Sequence, residues 1–325
     1  MEALIIGLQL AGGLAVLTLG ADWLVKGSSN FALSLGVKPL VIGLTLVAFG
    51  TSTPELVVSV KGAVDGDAGI SLGNVIGSNI CNIGLILGLC AMIKPLHVTA
   101  DLYRRDIPMM LLASVLLAVL PFIGGPSAAG DSVVYEISRW KAGVFLFVFV
   151  VSLWMTFRNA GGANLEVKQD PAKPNRRAVN LGLAFVGLVG LIAGGHFFVE
   201  GAVTLALKLG IPSLVIGLTI VAIGTSLPEF ATSLIASLRG QADISVGNVV
   251  GSNIFNILLV LGVAGVIAPI AVDARILQLD IPVMIAMALL LPLMSWKGKQ
   301  LGRLGGAVMF LGYGAYNLNL FFNWI

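Results

Sequence analysis

The chain has 325 residues, 57% hydrophobic and 11% charged, with a mean hydropathy of +1.00 and a formal net charge of +3. A soluble globular chain carries about 25% charged residues, and no soluble core could hide this much apolar surface, so lipid must be the solvent for most of the chain. The basic residues sit in loops between apolar stretches, which excludes a nucleic-acid-binding domain.

Taking about 20 residues per crossing, ten apolar stretches are long enough to span a bilayer. They run approximately over 3–24, 40–60, 69–93, 106–123, 141–158, 180–203, 214–236, 243–268, 278–295 and 304–323. The first lacks a basic flank and a clear cleavage site, so it reads as a retained span. Cys81 and Cys90 share one apolar stretch and read as small packing residues. His97 reads as a solvated loop residue, as do Asp65 and Asp67. The long polar stretch, Arg158 to Arg177, divides the chain into two halves of five spans. Fourteen of the nineteen Lys and Arg residues fall on the side of that loop. By the positive-inside rule the loop is then cytoplasmic and both termini lie outside.

The two halves are copies. LVIGLTLVAFGTSTPELVVS (40–59) recurs as LVIGLTIVAIGTSLPEFATS (214–233), and ISLGNVIGSNICNIGLILG (70–88) recurs as ISVGNVVGSNIFNILLVLG (244–262). The offset is 174 throughout, and 30 of 49 aligned positions from Leu40 to Gly88 are identical. Such self-similarity is the mark of a duplicated unit. Because each copy holds an odd number of spans, the copies must face opposite ways, an architecture of secondary transporters. The expected fold is an all-α membrane protein of ten transmembrane helices in two inverted five-helix repeats. Residues 1–158 form the first repeat, with its repeated block at 40–88. Residues 159–178 form a short linker, and 179–325 the second repeat, with its block at 214–262.

The chemistry lies in the repeated blocks. Gly50-Thr51-Ser52-Thr53-Pro54-Glu55 is matched by Gly224-Thr225-Ser226-Leu227-Pro228-Glu229. A carboxylate deep in a span costs about 2.5–3.5 kcal/mol on insertion scales, and here it occurs twice. The preceding proline cannot donate to the carbonyl four residues back, so Pro54 releases the Gly50 carbonyl and Pro228 that of Gly224. Freed carbonyls, hydroxyls and a carboxylate are all oxygen ligands, the set hard cations require. Two glutamates supply a charge of −2, enough to neutralise one Ca²⁺. A plain proline kink would not require Glu at both equivalent positions.

The second motif places Asn74, Ser78 and Asn82 four residues apart on one helix face, with Asn248, Ser252 and Asn256 as their equivalents. These oxygens could complete a cation shell or serve as interhelical hydrogen-bonding glue. Asn74 and Asn248, a turn farther out, lean towards glue. Asp22 and His196 are equivalent, as are Lys26 and Glu200; all four read as polar groups near span ends, free to snorkel. The sequence has no Cys/His metal cluster, no P-loop and no dinucleotide fingerprint in a βαβ context.

The paired GTSxPE and GSNIxN blocks resemble the two α-repeats of the sodium/calcium exchanger branch of the calcium/cation antiporter superfamily, in a compact prokaryotic form. The resemblance covers essentially the whole chain. It implies Ca²⁺ bound by Glu55 and Glu229 with the Thr51 and Thr225 carbonyls. It implies Na⁺ sites that share these glutamates and add the Ala48 and Ala222 carbonyls, Ser52, Ser226, Ser78 and Ser252, with Asn82 and Asn256 in the remaining polar positions. Some relatives, including potassium-dependent exchangers, carry Asp at one of the last two positions, and this chain has Asn at both. The resemblance further implies Ca²⁺ exchanged for Na⁺ by alternating access, with the first and sixth spans sliding against the other eight. The protein would be a carrier rather than an enzyme, without cofactor, nucleotide, nucleic acid or obligate protein partner, in the plasma membrane of a prokaryote. Ca²⁺/H⁺ antiport through the same glutamates is the alternative, and a cation channel a more distant one.

Overall fold

The computed structural model describes residues 2–66, 68–125, 127–129, 132–158, 177–209, 222–296 and 299–324. Asp67, most of the central polar stretch (159–176) and residues 210–221, which precede the second GTSxPE block and include the start of the expected span 214–236, lie outside the described residues. In chain order the helices are α1 (Glu2–Ser34), α2 (Pro39–Thr51), α3 (Thr53–Val64), α4 (Ile70–Ile93), α5 (Leu102–Phe122), α6 (Arg139–Arg158) and α7 (Arg177–Lys208). Then come α8 (Ala222–Thr225), α9 (Leu227–Leu238), α10 (Ala242–Ile267), α11 (Ile276–Ser295) and α12 (Arg303–Trp324).

Seven of these helices are long and apolar enough to cross a membrane among the described residues, and the bent pair α2–α3 makes an eighth span. The chain is therefore a multi-span, essentially all-helical membrane protein. Helix α9 is apolar but short, and α12 is interrupted by Asn317 and Asn319; neither is in that set.

Helices α1 and α7 form a pair held by glycines. A Cβ added at Gly13 would sit 2.6 Å from the Phe198 nitrogen, and one at Gly20 2.4 Å from the Leu191 nitrogen. One at Gly27 would sit 2.5 Å from the Ala184 nitrogen. As residue numbers rise along α1 they fall along α7, so the two helices run antiparallel with backbones in contact. Small residues permit such an approach. Gly13, Gly20 and Gly27 are equivalent to Gly187, Gly194 and Gly201 by the 174-residue offset, so the pair joins the two copies of one helix. Arg177 also donates to the Ser34 carbonyl, at 3.1 Å from Nε and 2.7 Å from Nη2, tying the start of α7 to the end of α1.

The remaining helices enclose one large apolar cluster centred on α4, α5, α10 and α11, with Leu72, Ile83, Leu87, Met110, Val249, Ile257, Leu261 and Leu291 fully enclosed. Helices α4 and α10 are the most deeply buried spans. Among the described residues, five helical turns widen to π geometry, at Gly43–Val47, Asn82–Leu87, Leu102–Asp106, Asn256–Val260 and Ile276–Asp280. Such bulges often mark functional sites, and two of these begin at Asn82 and Asn256.

The structure departs from the sequence reading in three ways. Helices α1 and α7 run to Ser34 and Lys208, well past the expected ends near 24 and 203. Asp22 and Lys26 therefore lie inside α1 rather than near a span end, and they are stabilised there by pairing with each other at 2.9 Å. As the proline beside Glu55 leads one to expect, the span over 40–60 is broken: two helices meet at Ser52 with a bend of 46°. Short antiparallel strands also cap the bundle, Leu96–His97 with Gln300–Leu301, and Ser127–Ala129 with Ser132–Ile137 with Ile270–Asp273. His97 is thus a strand residue, exposed as expected. The strands pair segments far apart in the chain, which no local pattern announces.

Candidate functional site

Each GTSxPE block ends one helix and starts the next. Ser52 leaves the helical region (φ −84°, ψ +8°), and Thr53, Pro54 and Glu55 open α3. Ser226 does the same (φ −89°, ψ +5°), followed by Leu227, Pro228 and Glu229 opening α9. Proline fits the first turn of a helix, where its missing N–H has no intrahelical partner to lose. The following glutamate then sits where the helix presents unpaired N–H groups and the positive end of its dipole. This local construction explains how a carboxylate can be held in the bundle interior. Glu55 is 1% exposed and Glu229 is 0% exposed.

The two acids are cross-linked by hydroxyls from opposite copies. Ser52 Oγ donates to Glu229 Oε1 at 2.9 Å, and Ser226 Oγ to Glu55 Oε1 at 3.5 Å. Helix α4 adds Ser78 Oγ, 3.5 Å from Glu55 Oε1, and α10 adds Ser252 Oγ, 3.4 Å from Glu229 Oε1. Ser226 Oγ also lies 3.4 Å from Ser78 Oγ. Ser52, Ser78, Ser226 and Ser252 are all buried. Every one of these donors reaches Oε1. The second oxygens, Glu55 Oε2 and Glu229 Oε2, are buried and accept no hydrogen bond among the described residues.

Asn82 and Asn256 show the same pattern. Asn82 Nδ2 donates to Asn253 Oδ1 at 2.9 Å, and Asn256 Nδ2 to Asn79 Oδ1 at 3.1 Å. Their own oxygens, Asn82 Oδ1 and Asn256 Oδ1, are buried without a donor among the described residues. The amide nitrogens are thus spent on holding the side chains, which leaves the oxygens as acceptors.

Asn79 and Asn253 complete this crossing. Asn79 Nδ2 lies 3.3 Å from the Asn253 carbonyl, and Asn253 Nδ2 lies 3.4 Å from the Asn79 carbonyl. Each also approaches a methionine sulfur at 3.7 Å, Met284 for Asn79 and Met110 for Asn253. These two asparagines were not among the site residues read from the sequence. Their only signal was repetition within the GSNIxN blocks. Asn74 and Asn248 act as glue, as their outer position suggested. Asn74 donates to Ser59 Oγ at 3.0 Å and to the Glu55 carbonyl at 3.1 Å. Asn248 donates to Ser233 Oγ at 3.0 Å and to the Glu229 carbonyl at 3.4 Å.

Of the remaining predicted residues, Ala48 and Thr51 are fully buried on α2, and Thr51 Oγ1 lies 3.1 Å from Asn248 Oδ1. Ala222 and Thr225 form the first and last positions of α8. No Lys, Arg or His pairs with Glu55 or Glu229 among the described residues. Leaving a buried carboxylate without a counter-charge costs several kcal/mol, and here two such acids share one network. A desolvated cation is the partner that this set of oxygens fits.

Buried acids without a basic partner among the described residues, inside a multi-span bundle, fit a membrane carrier for cations. The chain belongs to the sodium/calcium exchanger protein family, whose pattern matches residues 5–158 and 179–322. It is 34% identical over 338 residues to the sodium/calcium exchanger MaX1 of Methanosarcina acetivorans, covering 95% of this chain and 97% of that protein. It is 35% identical over 312 residues to the inner membrane protein YrbG of Escherichia coli, covering 93% and 92%. Among solved structures it is similar to the sodium-calcium exchanger NCX_Mj soaked without Na⁺ and Ca²⁺, with a TM-score of 0.83 and 35% identity over 98% of this chain and 99% of that one. The family assignment makes the protein a cation antiporter of the membrane, a transporter rather than a catalyst.

Proposed function

We propose that the chain exchanges Ca²⁺ for Na⁺ across the membrane by alternating access, at one set of oxygens built around Glu55 and Glu229. The observation that carries this is the set of four buried acceptors without donors: Glu55 Oε2, Glu229 Oε2, Asn82 Oδ1 and Asn256 Oδ1. They form two equivalent pairs, and a buried acceptor without a donor costs about 1–3 kcal/mol. A bound cation offsets that cost at all four at once.

In this reading Ca²⁺ takes both carboxylates, whose charge of −2 it neutralises, with the backbone carbonyls of Thr51 and Thr225. Na⁺ ions take the same carboxylates with the Ala48 and Ala222 carbonyls and the Ser52, Ser78, Ser226 and Ser252 hydroxyls. Asn82 and Asn256 complete the polar wall without adding charge. An empty site holds two unneutralised acids, and their mutual repulsion disfavours the passage between states. Either ion relieves it. Competition for shared oxygens then enforces exchange instead of leak.

The architecture that goes with this reading is ten spans in two inverted repeats, 1–158 and 179–325, joined by the linker 159–178. The reciprocal bonds described above, each repeated with partners 174 residues on, support a twofold relation between copies, and the antiparallel α1–α7 pair supports their inversion. The excess of Lys and Arg near the central loop supports a cytoplasmic linker, with both termini outside the plasma membrane of a prokaryote.

Equilibrium binding of ⁴⁵Ca²⁺ to purified protein tests the site. Wild type binds one Ca²⁺ that Na⁺ displaces competitively, and Glu55→Gln and Glu229→Gln each lose that binding. Retention of competitive binding in either variant contradicts the assignment.

A further inference from the structure

Six charged or titratable residues occupy equivalent positions in the two copies with their signs reversed. In one set, α1 carries Asp22 and Lys26, and Arg239 follows the end of α9. The 174-residue offset turns these into His196 and Glu200 on α7 and Asp65 at the end of α3. An acid flanked by two bases becomes a histidine flanked by two acids.

The first set is closed. Asp22 pairs with Lys26 at 2.9 Å and with Arg239. The helices beneath it are packed together, with Leu17 and Ala21 of α1 on Ala231 and Leu227 of α9, and Val25 on Ala236. The second set is open. His196, Glu200 and Asp65 are exposed, and no ion pair joins them among the described residues. The packing beneath it is absent too. Ala231 is 7% exposed under α1, whereas its equivalent on α3, Val57, is 61% exposed. Lys61, in the place of the half-buried Ile235, is exposed on the same face.

We propose that Asp22–Arg239 and His196–Asp65 are two alternative latches of one transport cycle, the first closed in this structure and the second closed in the opposite state. The glycine-zipped pair α1–α7 moves as one body. When it leaves α9, Asp22 releases Arg239. When it reaches α3, the His196 ring takes up the bridging place between Asp65 and Glu200 that Asp22 now holds between Arg239 and Lys26. Lys61 on the same face then lies beside Glu200. These are positioning residues: they touch no transported ion and set which end of the site is shut. The inference rests on the alternating-access reading above.

The test uses full-length protein in proteoliposomes and two double-cysteine variants, Asp22→Cys with Arg239→Cys and Asp65→Cys with His196→Cys. A short bifunctional methanethiosulfonate joins each pair, and dithiothreitol reverses it. The first pair should join in resting protein. The second should join during turnover, with Na⁺ on one side and Ca²⁺ on the other. Each link should abolish Ca²⁺ flux until it is reduced. In a variant carrying all four cysteines, one molecule should never acquire both links. Failure of the second pair to join while the variant still exchanges overturns the latch and leaves the exchange reading standing. Both links in one molecule overturn it as well. If the cysteines by themselves stop transport, a charge swap decides. Asp65→Arg should slow exchange several-fold, and adding His196→Asp should restore most of the lost rate; absence of rescue overturns the pairing. Loss of sodium-driven flux in wild type would refute the exchange reading itself, a result distinct from all of these.

Discussion

The Ser52 hydroxyl lies 2.9 Å from the Glu229 carboxylate, so the first bent helix supports the acid of the second. The reciprocal contact, Ser226 to Glu55, is looser at 3.5 Å. The two acids are therefore equivalent in sequence but unequally held. Ser52→Ala removes the tighter bond and a candidate Na⁺ ligand together. It should weaken Ca²⁺ and Na⁺ binding by about tenfold each, roughly 1.4 kcal/mol, and more than Ser226→Ala does. Isothermal titration of the two variants checks the order. Equal effects would show that the difference in hydrogen bonding does not reach the ions.

The Asn79–Asn253 crossing makes a stability prediction. Asn79→Leu leaves the Asn256 amide without its acceptor inside the core and removes a second donor from the Asn253 carbonyl. Each unsatisfied buried group costs about 1–3 kcal/mol, so the variant should unfold several degrees lower in a detergent thermal-shift assay. Asn253→Leu should behave alike, because it strips the Asn79 carbonyl and the Asn82 amide. The double variant should cost less than the sum, since the residues share their bonds.

Glycines on α1 separate by location. A Cβ at Gly20 would meet backbone at 2.4 Å, while Gly7 and Gly12 have nothing within 4 Å. Gly20→Ala should push α1 and α7 apart at about 1–3 kcal/mol and impair flux, whereas Gly7→Ala and Gly12→Ala should transport normally. Gly187→Ala on α7 faces the same obstacle, with backbone at 2.4 Å, and should match Gly20→Ala. Flux assays at equal protein density in liposomes compare the four.

Much of this was legible in the sequence because it depends on local chemistry. Composition alone demanded lipid. Pro54 and Pro228 beside Glu55 and Glu229 announced a helix start at each acid, and the structure opens α3 and α9 there. What escaped was set by partners distant in sequence. Hydropathy ended α1 near Asp22 because charge is costly in lipid, but Asp22 is held by Lys26 and Arg239, and the helix continues to Ser34. Asn79 and Asn253 received no role, since nothing local shows that each faces the other copy. The proline argument identified the released carbonyl, Gly50, but not Ser52 as the residue where the helix turns.

The central claim is coupling through the paired acids, and the most direct measurement is Ca²⁺ uptake into Na⁺-loaded proteoliposomes, with and without an outward Na⁺ gradient, for wild type and Glu55→Gln. Uptake that requires the gradient and disappears in Glu55→Gln is the predicted result. Uptake indifferent to Na⁺ but driven by a pH gradient would contradict the sodium assignment and make the protein a Ca²⁺/H⁺ antiporter; uptake that persists in Glu55→Gln would contradict the site.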